Sequence, residues 1–436
     1  GLLRQPGQHP ARVAHHHIGM HPFVWEAAAD HLLAGFLQHI AAGFLQGGAL
    51  LEEILPARAL TLPLGALAVV PIGLLMREAR FKAIAGIESL ASVAASLVGL
   101  AFAFGGAGVW SLVFMEIVRA FATAAVGFLV ARWRPGVRMG VTDFTDLLGF
   151  NASTWGAWGI VYLDGELPRT LIARSLGSTA VGLYSMAMRL FDQVVTLLMR
   201  PAYQVVQTGA ARTQDDPVAV GELALGTMRA SVVLAAPLFL GIAAISPVLV
   251  PLVFGPEWAG AVGVIQVMML FAVRSPVTMV QTAIIRGMGK AHWHLGVAAL
   301  GVCLTLAVLA VSLPYGLVAV AAAMGVRGIL LFPSYAVLVR RLTGLSVRDQ
   351  ALASVGATVS ALVMAAVVLG ALAWLPDAVG RLAALAIAVP GGAVVYWAAL
   401  RVFSRPAARV VDSVLAAAVR RDRAGLRAAL GGAGGS

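Results

Sequence analysis

Eleven long apolar segments follow one another from about residue 57, and the arginines and lysines between them fall almost entirely in every second connection. An apolar run of about 20 residues is long enough to cross a bilayer as a helix, because each residue adds about 1.5 Å of rise. The runs lie at roughly 57–76, 83–104, 108–131, 144–163, 179–200, 223–253, 259–285, 292–313, 316–339, 350–374 and 382–403. Alternate connections carry Arg77, Arg80 and Lys82, then Arg132, Arg134 and Arg138, then Arg200 and Arg212, then Arg286 and Lys290, then Arg340, Arg341 and Arg348. The tail adds Arg401, Arg405, Arg409, Arg420, Arg421, Arg423 and Arg427 on the same side, whereas the opposite connections hold only Arg169, Arg174 and Arg381. Basic residues accumulate on the cytoplasmic side, so the C-terminus is expected inside. The expected fold class is all-α, a polytopic transmembrane helix bundle of about 11 spans.

With 60% hydrophobic and only 12% charged residues, 436 residues are far too apolar for a soluble domain. The formal net charge of +11 sits in short turns and the tail, where topology and anionic lipid headgroups account for it, so no nucleic-acid partner is expected. Cys303 is the single cysteine and lies in an apolar run, which excludes an intramolecular disulfide and a thiolate cluster; it is expected as a small packing residue. The connections are short on both sides, at Gly105–Ala107, Asp164–Gly177, Gly255–Trp258, around Pro314 and at Leu375–Arg381 on the outer side. They leave no room for a catalytic domain outside the membrane. No enzyme activity, metal or cofactor is expected.

Residues 1–56 differ in character. They hold most of the histidines, including His15, His16 and His17, and an amphipathic stretch from Leu32 to Leu45 that reads as an interfacial helix or a poor further span. Consecutive histidines point in different directions on a helix and find no clustered carboxylate, so they make no metal site. The chain starts at Gly1 without the order of a signal peptide, and an aberrant or truncated start is the expectation. The expected organisation is 1–56 atypical, 57–140 the remainder of an N-terminal lobe, 141–403 a C-terminal transmembrane region, and 404–436 a basic cytoplasmic tail.

Ionisable residues inside a span are costly unless paired or hydrated, and so mark cavities or pathways. Arg119, Arg189, Arg274 and Arg327 all lie near mid-span. Glu116 and Arg119, and Arg189 and Asp192, are spaced for ion pairs within one helix. Arg274 and Arg327 have no acidic residue within a turn of their own helices and need a partner from elsewhere or a substrate anion. A guanidinium is permanently charged and presents a planar fork to anionic oxygens, so these four arginines are candidate cavity cations for an anionic substrate. Asn151, Ser153, Trp155, Trp158 and Tyr184 are candidates to face that substrate or to anchor at the interface. The carboxylates Glu88, Glu116, Asp146 and Asp192 are the candidates for cation or proton coupling. Pro63, Pro71, Pro237, Pro247, Pro276, Pro333 and Pro390 interrupt spans and require that a neighbour satisfy each freed carbonyl.

Four stretches resemble a known family. The first runs from Pro71 to Ala85 through Met76-Arg-Glu-Ala-Arg80, continues with Ile87-Glu88-Ser89, and leads to Gly108-Val-Trp-Ser-Leu-Val113. The second is Leu171-Ile-Ala-Arg-Ser-Leu-Gly177 with Gly182-Leu-Tyr184 and Arg189; the third is Gln214-Asp-Asp-Pro217; the fourth is Pro251-Leu-Val-Phe-Gly-Pro-Glu-Trp258. In these the chain resembles the Wzx-type lipopolysaccharide and exopolysaccharide flippases, in particular the colanic-acid-like branch, of the multidrug/oligosaccharidyl-lipid/polysaccharide exporter superfamily. The resemblance implies a two-lobed exporter fold, here with its N-terminal lobe truncated because the likeness begins at what resembles the fourth helix. It implies alternating access and a polyprenyl-diphosphate-linked oligosaccharide as cargo, with membrane lipids, a polysaccharide polymerase and glycosyltransferases as partners. Many relatives carry an acidic residue where Pro168 stands, and here Asp164 and Glu166 lie nearby. The competing readings are a multidrug or cation antiporter of the same superfamily, whose cavity would be acidic, and an inactive truncated remnant.

Overall fold

The computed structural model describes residues 54, 56–78, 80–132, 141–404, 408, 409, 411 and 412, and every regular element among them is helical. The expectations for residues 1–53 and for most of the basic tail lie outside the described residues. The chain divides into two compact units, with the boundary between Gly159 and Ile160.

In the first unit, α1 (Thr61–Arg77) and α2 (Phe81–Phe104) both pack on α3 (Trp110–Ala131). Lipid tails are as apolar as leucine, so helices in a membrane associate through close packing of small residues and not through burial of oily ones. That pattern is visible here. Ala91 and Ala95 are fully buried, Gly99 lies against Met115 and Gly127 against Pro71. Large side chains such as Leu97 and Leu129 point outward, as a lipid-facing surface requires.

The helix α4 (Val141–Val194) is broken at Gly177, whose φ of 86° and ψ of 175° suit only glycine. It continues through a π-helical turn, Val195–Met199, into α5 (Arg200–Arg212). The long α6 (Pro217–Val253) follows. Asp216 caps it by accepting from the Ala219 N–H at 3.1 Å, and Pro217 takes the first helical position. The Asp215-Asp216 pair is therefore explained, at least in Asp216, by helix initiation. Next come α7 (Ala261–Ala272), α8 (Ser275–Gly287), α9 (Ala291–Ser312), α10 (Leu317–Thr343), α11 (Val347–Val379) and α12 (Arg381–Phe403). In the second unit α6 packs on α7, α8, α11 and α12, α11 on α12, and α10 on α7, α8 and α9.

Eight of the described helices are long and apolar enough to cross a membrane, and α7 and α8, bent by 50° at a short break, form a ninth together. The expected spans at 144–163 and 179–200 fall on the two parts of α4, which are helical but not among those eight. One expectation is corrected: Asp164–Gly177 is not a loop. Asp164, Glu166 and Arg169 interrupt the apolar run, yet the helix continues through them because each charge finds a partner. Cys303 is also corrected, since it is exposed on α9 instead of packed.

Three of the prolines obey a simple accounting. A proline in a helix leaves the carbonyl four residues earlier without its N–H. Pro237 frees the carbonyl of Val233, and the Tyr396 hydroxyl of α12 donates to that oxygen at 2.7 Å. Pro247 frees Ala243, whose oxygen accepts from Ser246 at 2.9 Å; Pro276 frees Ala272, whose oxygen accepts from Ser275 at 2.6 Å. No water is at hand in hydrocarbon, so these hydroxyls are what make the breaks tolerable. A second polar link is fully buried: Gln281 of α8 donates to Gln350 of α11 at 2.8 Å, and the Gln350 amide donates to the Ala336 and Leu345 carbonyls.

Candidate functional site

The break between α7 and α8 places Arg274 at the N-cap of α8, in the middle of a bent span. Its Nη1 donates to Thr278 at 3.3 Å, and nothing among the described residues accepts from its buried Nε. The guanidinium lies directly over Gly328 of α10, which has no Cβ to block it; one turn earlier, Gly325 admits the Phe271 ring in the same way. Gly325 and Gly328 thus form a shallow channel on α10 into which the α7–α8 break settles.

Beside Gly328 stands Arg327. Its Nε donates to the Gly301 carbonyl of α9 at 3.2 Å, and its Nη2 pairs with the Asp164 carboxylate of α4. The other Asp164 oxygen accepts from Thr305 at 2.7 Å. Only 14% of the Arg327 side chain and 25% of the Asp164 side chain are exposed, so the pair sits largely inside the bundle. Arg327 is the residue next to Gly328, against which the Arg274 guanidinium rests, so the two guanidiniums meet α10 at adjacent positions. The one carboxylate among these described residues is held by Arg327, and Arg274 is bonded only to the Thr278 hydroxyl, so the cluster has a cationic surplus.

Of the arginines singled out from the sequence, Arg274 and Arg327 come together in the second unit. Arg119 belongs to the first unit, where it pairs with Glu116 at 2.7 Å on α3 and is exposed. Arg189 and Asp192 are both exposed on α4 and, among the described residues, form no ion pair with each other. Glu88 is exposed on α2 of the first unit, and within the second unit Asp192 forms no ion pair with Arg274 or Arg327 among the described residues. The side chains of Asp146, Asn151, Ser153, Trp155 and Trp158 lie outside the described residues. Tyr184 is buried.

Asp164, Thr305 and Thr278 are the members that sequence reasoning missed. Asp164 ended an apolar run and so passed for a loop residue. Signals were nevertheless present: Glu166 and Arg169 are spaced for the helical ion pair they form, at 2.8 Å, and Gly301 and Thr305 share one face of α9 at i, i+4.

The family model described as polysaccharide biosynthesis protein matches residues 23–263, more than half of the chain. The chain belongs to this family. Among curated relatives it is similar to the amylovoran biosynthesis protein AmsL of Erwinia amylovora, 26% identical over 44% of this chain and 52% of that protein. It is also similar to the lipopolysaccharide biosynthesis protein WzxC of Escherichia coli, 26% identical over 47% of this chain and 43% of that protein. A third, the succinoglycan biosynthesis transport protein ExoT of Rhizobium meliloti, is 24% identical over 48% of this chain and 42% of that protein. The chain thus spans about half the length of these relatives. Its fold is similar to that of a solved structure of the lipid II flippase MurJ in an inward closed conformation, with a TM-score of 0.67 and 13% identity over 88% of this chain and 81% of that one. The resemblance read from the four sequence stretches, to Wzx-type polysaccharide transporters, agrees with the family and with these names, and the chain is a multi-pass membrane protein.

Proposed function

We propose that this protein is a flippase that carries polyprenyl-diphosphate-linked oligosaccharide repeat units across the bacterial plasma membrane, for lipopolysaccharide or exopolysaccharide synthesis, with no covalent chemistry of its own. The observation that carries the reading is the cationic surplus at Arg274 and Arg327, held inside the second unit of a family member. A diphosphate linkage is a dianion with fork-shaped oxygen pairs, and two guanidiniums match it in charge and geometry. The glycan and the lipid tail then need only follow the headgroup, each staying in the medium that suits it. An exporter of cationic drugs would want the opposite charge, and the single carboxylate of the cluster is already engaged by Arg327. The alternation of basic connections supports a cytoplasmic C-terminus.

The test is complementation. Arg274→Ala and Arg327→Ala, each in the full chain, should abolish polysaccharide export in a flippase-deficient strain at normal membrane levels. Lysine at either position should restore it only in part, since it keeps the charge and loses the fork. Full export by both alanine variants would refute the assignment.

A further inference from the structure

Arg274 and Arg327 are not equivalent. Arg274 faces no carboxylate among the described residues and keeps a buried Nε–H unpaired, whereas Arg327 is already bound by Asp164. Asp164 in turn has two holds, Arg327 on one oxygen and the Thr305 hydroxyl on the other. A carboxylate and a phosphate offer a guanidinium the same kind of paired oxygen acceptors, so they compete for it.

We propose that Asp164 is a built-in competitor for the substrate's diphosphate at Arg327, a positioning residue that sets how tightly the site holds its anion and how readily it lets go. This rests on the diphosphate reading above. Arg274 is the free cation that an incoming diphosphate meets first. The second phosphate then exchanges with Asp164 at Arg327, and Thr305 keeps the displaced carboxylate hydrogen-bonded where hydrocarbon would not solvate it. The charge balance gives the exchange its direction. Two guanidiniums neutralise a dianion, but with Asp164 still ionised nearby the occupied cluster carries one surplus negative charge. That surplus repels the bound anion and returns Arg327 to Asp164 on release. A site with both arginines free would hold the diphosphate too well to discharge it.

The experiment measures binding of a long-chain polyprenyl diphosphate, without sugar, to the purified full chain in nanodiscs, alongside export in cells. Asp164→Asn should lower the Kd about tenfold, the worth of freeing one charge-assisted bond, while slowing export. A merely structural aspartate would lose both together. Asp164→Glu should return binding toward that of the unmodified protein and recover most of the export. Arg327→Gln should weaken binding about tenfold or more, and the double variant Asp164→Asn/Arg327→Gln, which leaves no bare charge to unfold the bundle, should lose most of the gain seen in Asp164→Asn alone, because Asp164 acts chiefly through Arg327. Thr305→Val takes away the hydroxyl that receives the displaced carboxylate without touching either charge, and should weaken binding about two- to threefold. If Arg327→Gln weakens binding but Asp164→Asn does not tighten it, the competitor role is overturned and the diphosphate reading stands. If Arg327→Gln leaves binding unchanged, the diphosphate reading itself fails, and the competitor role with it.

Discussion

Two glycines one turn apart on α10 separate the stability of the site from its binding. A Cβ at residue 328 would overlap the Arg274 guanidinium, the far end of a long flexible side chain, whereas a Cβ at residue 325 would overlap the Phe271 ring, which is held close to its own backbone. In Gly328→Ala the guanidinium swings aside and its 3.3 Å bond to Thr278, long for a charged donor, is lost, at about 1.5 kcal/mol, the low end for such bonds. Helix propensity returns about 0.8–1 kcal/mol, because alanine is the better helix former. The two nearly cancel, so the thermal midpoint of the purified protein should move by little. Anion affinity should not be spared: one displaced charge-assisted contact is worth about 1.5–3 kcal/mol, roughly ten- to a hundredfold in Kd for polyprenyl diphosphate. Gly325→Ala should behave in reverse. Overpacking the ring costs about 1–3 kcal/mol, only partly offset by propensity, while Arg274 keeps its place. The assay is a thermal melt in detergent beside equilibrium binding in nanodiscs. Wild-type affinity in Gly328→Ala, or a loss of affinity in Gly325→Ala at unchanged stability, would refute the reasoning.

Further outcomes follow from the buried polar links and the topology. Tyr396→Phe leaves the Val233 carbonyl bare beside Pro237 and should lower stability by about 1–3 kcal/mol in a detergent melt; an unchanged midpoint would show that the helix repairs itself. Gln281→Leu should destabilise by a similar amount because it strands part of the Gln350 amide, whereas converting both glutamines to leucine should cost less than either single change predicts by addition. Reporter fusions after Arg138, Arg212 and Arg348 should read cytoplasmic, and fusions after Gly106 and Pro256 should read outside; one inverted result would show a miscounted span.

Most of the bundle was legible because hydropathy and charge alternation act on long windows. Nine of the expected runs coincide with the eight long apolar helices and the bent α7–α8 pair. The sequence was weaker where two effects compete over a few residues. At Asp164–Arg169 the charges lower local hydropathy, which reads as a loop, but Asp164 finds tertiary partners on α9 and α10, Glu166 and Arg169 pair with each other, and the helix runs on. The role of Gly177 as the true break depends on a backbone angle that composition does not reveal. At the site, Arg274 and Arg327 stood out because neither has an acidic neighbour on its own helix. Their proximity did not, since it depends on two glycines 50 residues or more downstream of Arg274 creating room on α10. The prolines carried a readable demand for hydroxyl partners. Ser246 and Ser275 stand next to theirs in sequence, but Tyr396 lies 163 residues from the carbonyl it satisfies.

The most direct measurement is transport by the purified full chain in proteoliposomes loaded with a polyprenyl-diphosphate-linked oligosaccharide, reading the fraction of glycan that becomes accessible to an external lectin over time. The unmodified protein should move the glycan between leaflets, and Arg274→Ala and Arg327→Ala should slow it about tenfold or more at equal reconstitution. Equal rates in both variants and the unmodified protein, or transport no faster than in protein-free vesicles, would contradict the assignment of this arginine pair to the diphosphate.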